Sequence, residues 1–172
     1  IAFTSNRTAD PDSNQNTDIF VVEPKADQTP RAVTSSTGSD ASPSWSPDSA
    51  WIAYVAGGAV EDLWYGSSHV ALVPNLARIA PRALTVALDR NVYSPTFSSE
   101  GNWVYFLIED GGNQHLAKIS VAGGAVERVV TGEREIEEFA LGPKAEIAVL
   151  EAQWDHPAEI SVVVVNKKGS AP

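Results

Sequence analysis

The chain has 172 residues, 43% apolar and 20% charged, a composition that fits one folded domain with a core of its own. A formal charge of −10 argues against a nucleic-acid groove, which needs clustered Lys and Arg, and no run reaches the roughly 18–20 apolar residues of a membrane span. There is no cysteine, which excludes disulfides, thiolate catalysis and Cys-based zinc sites but leaves cytoplasm and periplasm equally open.

Taken in chain order, the first strands are predicted at Ile1–Thr4, Ile19–Val22 and Arg31–Thr34. The next four are Ser42–Ser46, Trp51–Val55, His69–Val73 and Arg82–Thr85, with Ser46-Pro47-Asp48-Ser49 as a tight turn, proline standing where its fixed φ suits type I. Then come Thr96–Ser98, Trp103–Ile108, Leu116–Val121 and Glu127–Val130, and last Glu138–Leu141, Ile147–Glu151 and Ile160–Val165. The chain begins inside what looks like a strand and has no methionine.

Two motifs recur along this series. Pro43-Ser44-Trp45-Ser46-Pro47-Asp48-Ser49-Ala50-Trp51-Ile52-Ala53-Tyr54 returns 52 residues later as Pro95-Thr96-Phe97-Ser98-Ser99-Glu100-Gly101-Asn102-Trp103-Val104-Tyr105-Phe106, and a worn copy, Leu141 to Leu150, follows 44 further on. Pro30-Arg31-Ala32-Val33-Thr34 returns 51 residues later as Pro81-Arg82-Ala83-Leu84-Thr85, and 46 further as Glu127-Arg128-Val129-Val130-Thr131. A repeat of this period, built of short apolar strands, is the mark of radially stacked sheets. The predicted fold is all-β: a partial β-propeller of four-stranded antiparallel blades, with units at about 1–40, 41–91, 92–136 and 137–172. About three and a half blades are present where closed propellers have about 4–8, so the chain is expected to be a piece of a larger protein. Trp45, Trp51, Tyr54, Phe97, Trp103, Tyr105 and Phe106 are expected to fill the wedges between blades.

The Trp-Ser-Pro-Asp…Ile-Ala-Tyr pattern resembles the propeller repeat of TolB-like proteins and of prolyl-oligopeptidase-type (S9) serine peptidases. Thr4-Ser5-Asn6-Arg7 with Asp10-Pro11-Asp12, Leu88-Asp89-Arg90-Asn91-Val92, Phe106-Leu107-Ile108-Glu109-Asp110, Val121 to Arg128 and Pro157-Ala158-Glu159-Ile160 are similar to the acylaminoacyl-peptidase and dipeptidyl-aminopeptidase branch. Asn75 to Ala80 departs from the family's Gly-Gly turn, seen here at Gly123-Gly124, and the tail from Val164 to Pro172 departs from its Arg-x-Leu-Thr strand. The resemblance implies a propeller that caps a hydrolase domain outside this chain and limits access to short peptides. Its partners would be the rest of the propeller, that domain and a peptide substrate, with no cofactor. The rival expectation is a TolB-like protein-binding propeller, and a third is a purely structural array.

The residues themselves carry little catalytic chemistry. No Gly-x-Ser-x-Gly elbow is present; Gly66-Ser67-Ser68-His69 lacks its spacing. His69, His115 and His156 fall in different blades. Asp12, Asn14, Asn16, Asp18 and Glu23 mimic a calcium loop, but Thr17 stands where such a loop needs glycine, and a solvated loop is the ordinary reading. Asp89 and Arg90, at the connection into the third blade, are candidates for a channel lining or a domain contact. Glu137 and Glu138, with Glu133, Arg134 and Glu135, stand at the same place one blade on. Trp64 and Tyr65 are candidate exposed contact aromatics. The open blade edges are expected to self-associate unless covered.

Overall fold

The computed structural model describes residues 1–58, 65–76, 79–143 and 145–165. Strands β1 (Ala2–Ser5), β2 (Asp18–Val21) and β3 (Arg31–Ala32) form the first sheet, in that order. The second is β4 (Asp40–Trp45), β5 (Trp51–Ala56), β6 (His69–Pro74) and β7 (Arg82–Ala83). The third blade is β8 (Val92–Phe97), β9 (Trp103–Asp110), β10 (Asn113–Ser120) and β11 (Glu127–Val130), and the fourth is β12 (Glu135–Leu141), β13 (Glu146–Gln153) and β14 (His156–Val164). Every pairing within a blade is antiparallel. One parallel pair, Gln114 with Glu135, joins the third and fourth blades into a single seven-stranded sheet. A 3₁₀ turn at Pro11–Ser13 is the helical element among the described residues.

The repeated sequence builds repeated geometry. In the turn after β4, the Ser49 amide donates to Ser46 O at 2.9 Å and the Ser46 amide to Trp51 O at 2.9 Å; Gly101, Ser98 and Trp103 repeat both bonds at 2.9 Å. The last turn residue is left-handed in each copy, Ser49 at φ 58° and Gly101 at φ 72°. Each inner strand also carries a bulge, between Ala41 and Ser44 and between Tyr93 and Thr96, with Ser42 and Ser94 at φ 53° and 52°. Pro43 and Pro95 sit in these interruptions, where a missing N–H costs no ladder bond. β12 keeps the bulge at Glu137 without proline.

The outer strands β3 and β7 are two residues long, shorter than the four expected. Thr34 and Thr85 leave the ladder and turn their hydroxyl oxygens inward, where Thr34 Oγ1 accepts the Ile19 amide at 2.9 Å and Thr85 Oγ1 the Val70 amide at 3.0 Å. β9 and β10 are longer than expected, because Gly111 and Gly112, at φ 61° and 86°, close a two-residue hairpin with the twist strands prefer. The third copy of the Arg motif is displaced by one residue. Arg82 pairs with Leu72, whereas Glu127 pairs with Lys118 at the equivalent register, and a bulge between Leu116 and Ala117 absorbs the slip. Arg31 and Arg82 reach over to the next blade, Arg31 to Asn75 O at 2.7 Å and Arg82 to Val121 O and Ala122 O. Arg128, one place along, does not.

Three apolar seams hold the blades together. Ile19, Ile52, Tyr54, Ala71 and Val73 fill the first, Val70, Leu72, Val92, Phe97 and Phe106 the second, and Leu107, Leu116, Ile136 and Val149 the third. The expectation for the aromatics holds for Tyr54, Phe97 and Phe106, which are buried, and not for Trp51, which is 37% exposed at the rim. Trp45, Trp103 and Tyr105 are half-buried. The outer face of β14 is bare, with Ile160 at 79%, Val162 at 66% and Val164 at 52% exposure.

Candidate functional site

The end of the blades that carries the β9–β10 hairpin and the connections between blades holds a polar crevice of about 530 Å³. Asp89, Arg90 and Asn91 line it from the connection into β8, Glu109 to Gln114 from the hairpin, Glu135 from the start of β12, and Ser67 from the approach to β6. Four carboxylates, Asp89, Glu109, Asp110 and Glu135, thus surround one guanidinium, Arg90. Such an arrangement attracts a cationic group and repels an anion.

The crevice walls are fixed by side chains bonding backbone. Asn91 Oδ1 accepts the Ser68 amide at 3.1 Å, Ser68 Oγ accepts the Val92 amide at 3.0 Å, and Asn91 Nδ2 donates to Glu109 at 3.1 Å. The Tyr93 hydroxyl donates to the other Glu109 oxygen at 2.8 Å, and burial, then that carboxylate, pushes the phenol up to about 12. Asp110 is gripped from both sides, by Arg90 Nε at 3.1 Å and by Arg128 Nη2 at 2.7 Å. Those two guanidiniums hold its carboxyl below the usual carboxylate range. Arg128 Nη1 lies 3.0 Å from His115 Nδ1, and His115 Nε2 lies 2.9 Å from Gly132 O. An arginine only donates and a carbonyl only accepts, so the ring proton is on Nε2. His115 is therefore occupied at both nitrogens, and His156 bonds its neighbour Asp155 at 2.7 Å. Among the described residues no serine hydroxyl meets a histidine ring.

Asp89 and Arg90 are thus brought together with Glu109, Asp110 and Glu135, while Glu137 and Glu138 stand exposed along β12 outside the crevice lining. Tyr65 is 92% exposed, and Trp64 lies outside the described residues. Among the described residues no group of three or more His, Asp or Glu gathers as a metal site. In the Asp12–Glu23 segment, Asn14 Oδ1 accepts from Asn6 at 2.9 Å, Asp18 Oδ1 accepts from Thr34 at 3.1 Å, and Glu23 pairs with Lys25 at 2.7 Å, while Asn16 Oδ1 is buried without a partner. Sequence reasoning missed Asp110, Arg128 and Trp154. Trp154 is 89% exposed beside a second depression that holds Glu133, Arg134 and Glu135. The Gly111-Gly112 pair was the available signal for Asp110: it places that residue at the hairpin tip, level with the connection carrying Arg90.

A second polar group lies deeper. Asp40 is 1% exposed at the seam of the first two blades, and neither carboxylate oxygen has a hydrogen-bond partner. The nearby hydroxyls are directed elsewhere, Thr34 to Asp18 at 3.1 Å and Ser36 to Gly38 O at 3.1 Å. Burial raises its pKa from 3.8 to about 6, the nearby Thr34 and Ser36 hydroxyls pull it partly back down, and Asp18 adds a smaller like-charge push. Tyr54 on the same seam is raised too, first by burial and then by Asp40 and Asp18.

No protein-family model matches the chain, and no curated protein sequence does. Solved structures do share its fold. A TolB-type structure from Agrobacterium tumefaciens superposes with TM-score 0.69 at 20% identity, over 90% of this chain and 55% of that one. TolB from Acinetobacter baumannii gives TM-score 0.73 at 17% identity, over 96% of this chain and 38% of that one. Acylaminoacyl peptidase from Pyrococcus horikoshii gives 0.63 at 15% identity, over 86% of this chain and 22% of that one. The chain is a β-propeller segment, and it spans between about a fifth and just over half the length of these structures.

Proposed function

We propose that this chain is the non-catalytic propeller segment of a prolyl-oligopeptidase-type serine peptidase, where it admits short peptides to a hydrolase domain outside the chain. The acidic crevice carries the reading. Four carboxylates around Arg90, at the end of the blades where the connections meet, suit the ammonium end of a peptide. The lack of a Gly-x-Ser-x-Gly elbow fits a role in admission rather than bond cleavage. In that parent, acyl transfer would run through a serine, histidine and aspartate of the other domain. The bare face of β14 would be covered by the next blade, as each of the three seams here is covered by its neighbour.

A TolB-like binding propeller is the second reading. TolB structures and peptidase propellers both superpose on the chain, at 0.69 and 0.73 and at 0.63, so the fold suits this reading as well as the first. The coding sequence downstream of residue 172 separates the two. A Gly-x-Ser-x-Gly elbow on a strand-to-helix turn supports the peptidase; an open reading frame that completes the ring and stops without one supports the binding module.

A further inference from the structure

At the opposite end of the strands, the seam between the second and third blades opens into a pocket of about 380 Å³. Trp51, Leu72 and Phe97 form its apolar walls, with the carboxylates of Asp48 and Glu100 and the Arg82 side chain also on its lining. Arg82 is committed to the carbonyls of Val121 and Ala122. Asp48 is held below the usual carboxylate range by the Ser46 hydroxyl and the Ala50 amide, so it stays anionic.

One blade on, the protein fills the corresponding space itself. Register makes Trp103 the counterpart of Trp51, Lys118 of Leu72 and Glu127 of Arg82. The Lys118 ammonium lies 4.3 Å from the Trp103 ring centroid and 3.3 Å from Glu127, and its side chain is only 14% exposed. Tryptophan is the best aromatic seat for a cation. The second blade keeps the tryptophan but replaces the lysine by the shorter, uncharged Leu72. Its indole therefore stays 37% exposed, with two carboxylates on the same pocket.

We propose that this pocket seats a lysine side chain presented by a partner polypeptide, which would place its stem against Leu72 and Phe97 and its ammonium over Trp51. Charge complementarity supports a cation: two carboxylates oppose one engaged guanidinium at the pocket, on a chain of formal charge −10. The pocket lies at the other end of the strands from the acidic crevice, and the proposal does not depend on the function assigned to that crevice.

The test is nuclear magnetic resonance of the chain, following the Trp51 indole N–H, assigned by its loss in Trp51→Phe. The probes are Nα-acetyl-lysine N-methylamide and its norleucine analogue, which keeps the stem and lacks the charge. The expected result is saturable binding of the lysine probe at roughly millimolar concentration, as befits one side chain. The norleucine probe should bind about tenfold more weakly, and added salt should weaken the lysine probe. Glu100→Gln, at an exposed turn and able to fold, should weaken the lysine probe several-fold and leave the norleucine probe unchanged. Equal affinity for the two probes would overturn the proposal in favour of a merely apolar pocket. No shift of the indole resonance, or full binding by Trp51→Ala read from the Gly101 and Ala122 backbone amides on the same pocket, would overturn it as well.

Discussion

The seam between the first and second blades and the seam between the second and third come from one repeat, yet they differ at a buried position. Register equates Asp40, Val92 and Ile136, the residues paired with Ala56, Ile108 and Glu151 near the start of each inner strand. All three are at most 1% exposed. In the second seam Val92 packs among Val70, Phe106 and Ile108; in the first, Asp40 presents a carboxylate to Asp18 and Tyr54, with the nearby Thr34 and Ser36 hydroxyls bonded to Asp18 and Gly38. The comparison teaches that strand period alone specifies which positions are buried, not how well each is satisfied. The blade tolerates a buried acid because the surrounding ladder and turn are intact. Desolvation then appears as a raised pKa instead of a broken strand.

Five substitutions, and one control, sharpen or break that contrast. The largest effect is expected at the apolar seam: Phe106 is fully buried, so Phe106→Ala should cost about 3–5 kcal/mol in denaturant unfolding. A midpoint near that of the parent would mean the second seam is not a packed core. Asp40→Val, which writes the second seam's residue into the first, should raise stability at neutral pH by about 2–3 kcal/mol, the rough cost of an uncompensated buried charge. Destabilisation would show that Asp40 has a partner. The buried threonine hydroxyls come next. Thr85→Val orphans the Val70 amide and should cost about 1–2 kcal/mol, and Thr34→Val should match it at Ile19, whereas the exposed Thr131 should tolerate the change within about 0.5 kcal/mol. The smallest effect is at the rim: Trp51 is 37% exposed, and Trp51→Ala should cost well under the Phe106 value, about 1 kcal/mol. A loss equal to that of Phe106→Ala would return the indole to the core.

Much of the architecture was legible because it is periodic. The Trp45-to-Tyr54 motif announced the strand–turn–strand unit, and its turn folds with the same bonds in both copies. What escaped was aperiodic. The slip that sends Arg128 to Asp110 comes from a bulge at Leu116, and no residue there signals it. Trp51 looked equivalent to Trp103, but the lysine that covers Trp103 is a leucine in the second blade. Asp40 precedes the predicted strand Ser42–Ser46 by two residues, and its burial depends on the neighbouring blade, which that strand's own pattern does not report. Of the crevice lining, Asp89 and Arg90 were legible from their place between blades. Asp110 was missed because its partners lie 20 and 18 residues away in sequence.

The pH dependence of stability tests the central contrast between the seams most directly. A carboxyl raised from 3.8 unfolded to about 6 folded binds its proton more tightly in the native state. Its stabilising protonation is fully present below pH 4 and is lost as pH rises through 6, a change of about 3 kcal/mol across the window. Asp110, whose pKa is lowered, works in the opposite direction and only at more acid pH, so it does not mask this window. Unfolding free energies of the parent and of Asp40→Val should therefore converge as pH falls from 7 to 4 and diverge again on return. Parallel curves, with one constant difference at every pH, would contradict the account.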